Sequence, residues 1–391
     1  MPRGFRDAVF GLALLSTALA LARPGISGDA TAWRLNPYPA GHSFAFTIVQ
    51  DADSAYSRRL APLFDEFDKL KLEISVTVFV FWADWAHNGR SWQEWLSNAT
   101  PEQTFFRPIA VPLEDDAERR FYLNLAARGY EMGMHTASET SDTTDQTERA
   151  FAFFTQVFGH PPALYVEHSS ANNKEALANE GANPGSRYYS LGILRRYHPW
   201  IWLDNALCLP PADDPRPFDL SSIPGAPFCE LLDRRYGLAN IFIRSGRPQK
   251  ADGDGFLELY SEANIDRLER DRGLAMVYMH LDKKWLDAST RQMREPLRQR
   301  LRYVASKNGW FAPAGQILDR RLQMQDLSLR ISGSTVRIQN RNARAVDSVS
   351  VIAPSGAALC RGGKTFLPVR SGDILLGDIR AGETLEFTIC R

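Results

Sequence analysis

The sequence predicts an α/β chain, a (β/α) barrel followed by a small C-terminal β-sandwich domain. Two observations carry this. Between residues 43 and 313, β-branched and aromatic runs alternate with amphipathic stretches at helical spacing. Past residue 318 the apolar period changes from that of a helix to strict alternation. Alternating β and α segments imply parallel strands joined by crossovers, and roughly seven or eight such units close most naturally as a barrel.

The elements follow in order. Ser43-Phe44-Ala45-Phe46-Thr47-Ile48-Val49 is a buried strand that stops abruptly at Gln50-Asp51-Ala52-Asp53. Leu60, Leu63, Phe64, Phe67 and Leu70 fall on one face of a helix over 57–70, and 74–81 is the next strand. A helix over 115–128 ends at Gly129, and Tyr130–Met134 is a strand ending at His135. Helix 144–158 leads to strand 163–167, which ends at His168. Helix 187–197 precedes strand 200–203, and 238–244 is another strand. Helix 261–271, strand 274–279 ending at His280, helix 290–307 and a last strand at 310–313 complete the series. In the C-terminal region, 326–331, 335–339, 348–352 and 384–389 alternate polar and apolar residues, separated by Gly and Asp. The barrel is placed at 38–318 and the sandwich at 323–391. Residues 23–37 read as a loose surface lead-in.

Composition bounds the function. Lys+Arg and Asp+Glu number 46 each, so the net charge is zero and nothing calls for a nucleic-acid or anionic-membrane partner. Residues 1–22 pair Arg3 and Arg6 with an apolar run ending at Ala18-Leu19-Ala20 or Ala20-Leu21-Ala22, the pattern of a secretory signal peptide; a retained single-span anchor is the alternative. A secreted or periplasmic protein with no span in the mature chain is expected. The four cysteines, Cys208, Cys229, Cys360 and Cys390, form no C-x-x-C pair, and export favours disulfides, with Cys208–Cys229 and Cys360–Cys390 as the nearest pairings.

The chemistry is expected at strand ends, because a βα barrel exposes functional side chains at the carboxyl ends of its strands. Asp51 and Asp53 follow the first strand; His135 and Glu139, His168, Asp204 and His280 follow later ones. Carboxylate and imidazole donors suit a divalent ion, with zinc the expected one. A carboxylate outside the coordination shell would take a proton from water. Trp82, Trp85, Trp92 and Trp95, with Phe105 and Phe106, gather after the second strand and offer flat faces for sugar rings, or simply pack.

Three segments resemble a family. Phe46–Asp53 is similar to the first motif of NodB-like polysaccharide deacetylases. Arg128-Gly129-Tyr130-Glu131-Met132-Gly133-Met134-His135-Thr136 resembles their GHEIGxHT segment, and Ala275–His280 their last motif. The resemblance spans about residues 42–315 and implies a distorted (β/α)7 barrel that removes acetyl groups from a polysaccharide or oligosaccharide with one divalent ion. It implies that Asp51 is the base, that Asp53 and His135 bind the metal, and that His280 is the general acid.

The chain departs from the pattern in two places. Glu139 stands where a second metal-binding His is usual, and the Arg-x-Pro-Tyr segment is replaced by Tyr165-Val166-Glu167-His168-Ser169. Glu139 or His168 would then complete the metal set, and Asp204 would tune the base. Two other functions stay open: a non-catalytic glycan-binding protein on a degenerate barrel, and a glycoside hydrolase using Asp51 with Asp204 or Glu167.

Overall fold

A computed structural model describes residues 33–51, 57–83, 86–87, 90–91, 111–168, 173–203, 218–223, 225–246, 250–369 and 372–390. The expected signal peptide, Asp53, Asp204, Cys208 and the Trp85, Trp92, Trp95, Phe105 and Phe106 cluster lie outside the described residues.

The alternating grammar becomes one parallel sheet. Its strands are β2 (Phe44–Gln50), β3 (Ser75–Val78), β6 (Glu131–Met134), β7 (Leu164–Val166), β8 (Trp200–Trp202), β9 (Ile241–Phe242) and β10 (Leu274–Met279), in the order β10-β2-β3-β6-β7-β8-β9. Between β3 and β6 lies a short hairpin, β4 (Ala86–His87) with β5 (Arg90–Ser91). The sheet curls until its two edges meet. Past β9, Ser245 forms a parallel bridge with Val277 of β10; its amide donates to the Met276 carbonyl at 2.8 Å, and its Oγ accepts from the Met276 amide at 3.1 Å. This closes a seven-stranded barrel, as the resemblance implied. An eighth strand, β11 (Gly309–Phe311), pairs with the lower half of β2 (Phe44–Phe46), while β3 takes its upper end (Val49–Gln50).

The strands are buried on both faces, as parallel strands under helices must be; every residue of β2 and β3 is buried. The helices are α1 (Ser57–Leu70), α2 (Asp116–Ala127), α3 (Thr144–Phe158), α4 (Leu191–Tyr197), α5 (Glu230–Tyr236), α6 (Gly253–Leu259), α7 (Glu262–Arg270), α8 (Glu295–Ala305) and α9 (Ala314–Gln325). Leu60, Leu63, Phe64 and Phe67 of α1 are fully buried, the face the spacing predicted. Local signals set the ends. Asp115 caps α2 by accepting from the Ala117 and Glu118 amides, and Thr143 and Gln146 form a capping box on α3. Gly159 closes α3 at φ 78°, a left-handed conformation that suits glycine.

Helix α9 is absent from the sequence reading. Its apolar positions are diluted by charge, and its start is set by tertiary partners: the Ala314 amide donates to Ser75 Oγ at 2.8 Å and the Gly315 amide to Glu131 Oε1 at 2.9 Å. A Cβ on Gly315 would stand 2.3 Å from Glu131 Oε2, so this close approach requires glycine. Strand 238–244 is shorter than expected, Ile241–Phe242, because the chain turns aside to make the closing bridge at Ser245.

Two antiparallel sheets are separate from the barrel sheet. One has the order β1-β14-β17, using β1 (Arg34–Leu35), β14 (Val346–Ile352) and β17 (Asp373–Ile379). The other has the order β12-β13-β18-β15-β16, from β12 (Leu327–Ser332), β13 (Thr335–Asn340), β15 (Ala358–Arg361), β16 (Lys364–Phe366) and β18 (Thr384–Cys390). Val336, Ile338, Val349, Val351, Leu359, Ile374 and Phe387 bury against one another in a hydrophobic cluster of their own. Cys360 and Cys390 form the expected disulfide between β15 and β18. Cys229 is also disulfide-bonded.

The lead-in is a correction. Residues 33–37 are not loose: β1 pairs antiparallel with β14, and Trp33 and Leu35 pack on the second cluster. Asn36 is fully buried, donating to the His42 carbonyl at 2.9 Å and to Asp373 Oδ1 at 3.0 Å. Two residues of strand are too short to show a period, so only the pairing partner reveals them.

Candidate active site

Each strand of a parallel barrel delivers its next residue to the same rim. Asp51 follows β2, His135 follows β6, His168 stands two residues past β7, and His280 follows β10. The chain turns sharply behind His135. Thr136 adopts φ 54°, an uncommon conformation for a β-branched residue, and the Val80 and Phe81 amides both donate to the Ala137 carbonyl, at 3.0 and 2.8 Å.

Three of these side chains converge. His135 Nε2 is 3.1 Å from Asp51 Oδ1, and His280 Nδ1 is 3.9 Å from the same oxygen. Asp51 is 2% exposed, His135 1% and His280 8%, so the cluster is largely withdrawn from water. Burial alone would raise the Asp51 carboxyl. The charge and hydrogen bond of His135, the His280 imidazole and the Tyr278 hydroxyl outweigh it and hold Asp51 well below the usual carboxylate range. His168 stands beside the cluster, its ring centroid 5.3 Å from that of His135, with Phe79 against both rings.

His135 is oriented as a metal ligand would be. Its Nδ1 lies 3.1 Å from the Val166 carbonyl, which can only accept, so Nδ1 carries the hydrogen and Nε2 is the nitrogen turned into the site. A cation beside Nε2 would also meet the Asp51 carboxylate. The donor chemistry therefore fits a divalent ion. Among the described residues no three of His, Cys, Asp and Glu stand close enough together to hold an ion, and Glu139 lies half-buried on the turn. Asp53, the expected ligand beside Asp51, and Asp204, the expected tuning residue, lie outside the described residues. Glu167 is engaged elsewhere: its Oε1 accepts the Leu177 amide at 2.7 Å.

Sequence reasoning missed two side chains here. Tyr278 sits at i−2 from His280 on β10, and the period of a strand puts both on one face. Arg244, two residues past β9, is buried with its guanidinium 4.0 Å from the Tyr278 ring centroid and 4.7 Å from that of Trp202. The position of Tyr278 was readable from the alternation; the stacking of Arg244 was not.

Behind the His135 turn lies a buried acid pair. Asp142 accepts from the Ala137 and Ser138 amides, both at 2.9 Å, and its own amide donates to Glu175 Oε2 at 3.0 Å. Burial, then the neighbouring Asp142 charge, pushes Glu175 up to about 7, and burial pushes Asp142 up to about 6. This pair therefore binds more protons in the folded chain than in the unfolded one between about pH 4 and 7, and its contribution to stability falls as pH rises through that window. Glu175→Gln keeps an acceptor for the Asp142 amide and cannot ionise. It is expected to stabilise the chain at pH 8 by on the order of 2 kcal/mol and to change little near pH 4. Denaturant midpoints at the two pH values check this; equal shifts at both would contradict it.

No known family profile matches the sequence, and no curated protein matches it. Among solved structures the chain is similar to a probable polysaccharide deacetylase from Pseudomonas aeruginosa PAO1, at 10% identity over 76% of this chain and 97% of that one, TM-score 0.42. It is similar to PuuE allantoinase at 10% identity over 76% and 96%, TM-score 0.40. It is also similar to a variant of the peptidoglycan deacetylase PdaC from Bacillus subtilis, at 9% identity over 74% and 96%, TM-score 0.34.

Proposed function

We propose that this chain is an exported, metal-dependent hydrolase that removes acetyl or similar acyl groups from a polysaccharide or oligosaccharide. The observation that carries the reading is the convergence of Asp51, His135 and His280, from three distant parts of the chain, at the carboxyl ends of β2, β6 and β10. His135 Nε2 and Asp53 would hold the ion, with His168 or Glu139 as a further ligand. Bound there, a divalent ion such as zinc polarises the acyl carbonyl and acidifies a water.

The chain's own groups then divide the proton work. Asp51, ionised and buried, takes the proton of the attacking water. His280 gives a proton to the leaving amine or alcohol as the acyl bond breaks. Asp204 tunes the base. Residues 38–318 act as the catalytic barrel and 323–391 as a β-sandwich domain appended to it.

One feature favours a second reading, glycan binding without turnover: Glu139 stands in the usual place of a ligating His. Acetate release from acetylated xylo- and chito-oligosaccharides separates the two. Turnover with added zinc that falls to the uncatalysed background in chelator is expected. Retention of the oligosaccharides with no acetate released, whatever the metal, would select the binding protein.

A further inference from the structure

The hydroxyl of Tyr278 stands between the two groups assigned to proton transfer. It donates to the Asp51 carboxylate and lies 3.0 Å from His280 Nε2. A phenol carries one hydrogen, and an ionised carboxylate can only accept. The phenol hydrogen therefore goes to Asp51, and the phenol oxygen is left as an acceptor. His280 Nε2 must supply the hydrogen of the second bond. That fixes the imidazole: Nε2 is protonated and committed to Tyr278, and Nδ1 is the working nitrogen. Nδ1 is buried and makes no hydrogen bond among the described residues.

The Tyr278 ring is itself held. Trp202 lies at 5.0 Å between centroids, the His280 ring packs edge-on at 5.2 Å, and the Arg244 guanidinium covers the face at 4.0 Å. A cation over an aromatic face adds an electrostatic tether to the packing.

We propose that Tyr278 is a positioning residue of the hydrolytic centre, a phenol bridge that holds Asp51 and His280 in fixed relation and leaves His280 Nδ1 to face the leaving group. This rests on the hydrolase reading above. In the step it supports, the Nδ1 proton of the imidazolium passes to the leaving nitrogen or oxygen, which keeps the electron pair of its broken bond to the acyl carbon; the Nε2 hydrogen stays on Tyr278.

Tyr278→Phe keeps the ring contacts and removes only the bridge. The first measurement is independent of activity. Nitrogen-15 spectra of the full chain at about pH 9, where an ordinary imidazole is neutral, with His280 assigned by His280→Gln, should show Nε2 protonated and Nδ1 bare. In Tyr278→Phe the Nε2 hydrogen should exchange with solvent at least about 10-fold faster. A proton on Nδ1 in the parent chain, or unchanged exchange in the variant, would overturn the bridge.

The second measurement is kinetic. Tyr278→Phe should lower kcat on an acetylated sugar by about 10-fold to 100-fold with KM little changed. On 4-nitrophenyl acetate, whose leaving group needs no proton, only the hold on Asp51 is given up, and the loss should be at least about 3-fold smaller than on the sugar. Equal losses on both substrates would overturn the link to His280. If the parent chain hydrolyses neither substrate, the hydrolase reading fails, and the exchange measurement alone upholds or overturns the bridge.

Discussion

Asp51→Asn is expected to lower kcat for acyl release by about 10³-fold while the chain still folds. The substitution keeps the shape of the side chain and an oxygen that can accept the Tyr278 hydroxyl. It removes the charge. An amide cannot take a proton from water. Loss of the base acts on the chemical step, so the effect should appear in kcat. Rates on an acetylated oligosaccharide, with circular dichroism as the fold control, test this. A variant within about 10-fold of the parent would remove Asp51 from the base role.

The largest stability effect is expected well away from the rim. Asp373 is fully buried where β17 meets the barrel, and it accepts from Arg272 Nη2 at 2.7 Å and from Asn36 Nδ2 at 3.0 Å. Arg272 stands two residues before β10, and the Tyr38 hydroxyl donates to the carbonyls of Arg272 and Gly273. One buried ion pair thus ties β1, β17 and the start of the strand that carries Tyr278 and His280. Asp373→Ala leaves a nearly buried guanidinium without its partner and is expected to cost about 4 kcal/mol. Arg272→Met removes the charge with the pair half dismantled, and the double substitution should recover part of the loss, because the unpaired charge is then gone. Denaturant midpoints of the three variants check this; a loss under about 1 kcal/mol in Asp373→Ala would contradict it.

The barrel was legible because its signals are local. The β2 run is β-branched and aromatic and is followed by a carboxylate, α3 carries its own capping box, and each is found at the residues the pattern predicts. The site was legible in part for the same reason: residues that follow parallel strands gather at one rim, so Asp51, His135, His168 and His280 could be named from the sequence. What escaped depends on partners distant in sequence. Strand β1 is two residues long and exists only through its register with β14. Helix α9 begins where Ser75 and Glu131 accept its first amides. Arg244 reaches the site because the chain bends from β9 to bridge β10, and no spacing in the sequence encodes that bend.

The central claim is that the rim grips one cation between His135 and the acidic residues after β2. A crystal of the full chain grown with zinc, with anomalous scattering measured on both sides of the zinc edge, tests it most directly. The expected result is a single anomalous peak within about 2.3 Å of His135 Nε2, with Asp53 as a second ligand and Asp51 near it but uncoordinated. No peak at the rim, or a His135 that keeps Nε2 on Asp51 while zinc binds elsewhere, would contradict the account.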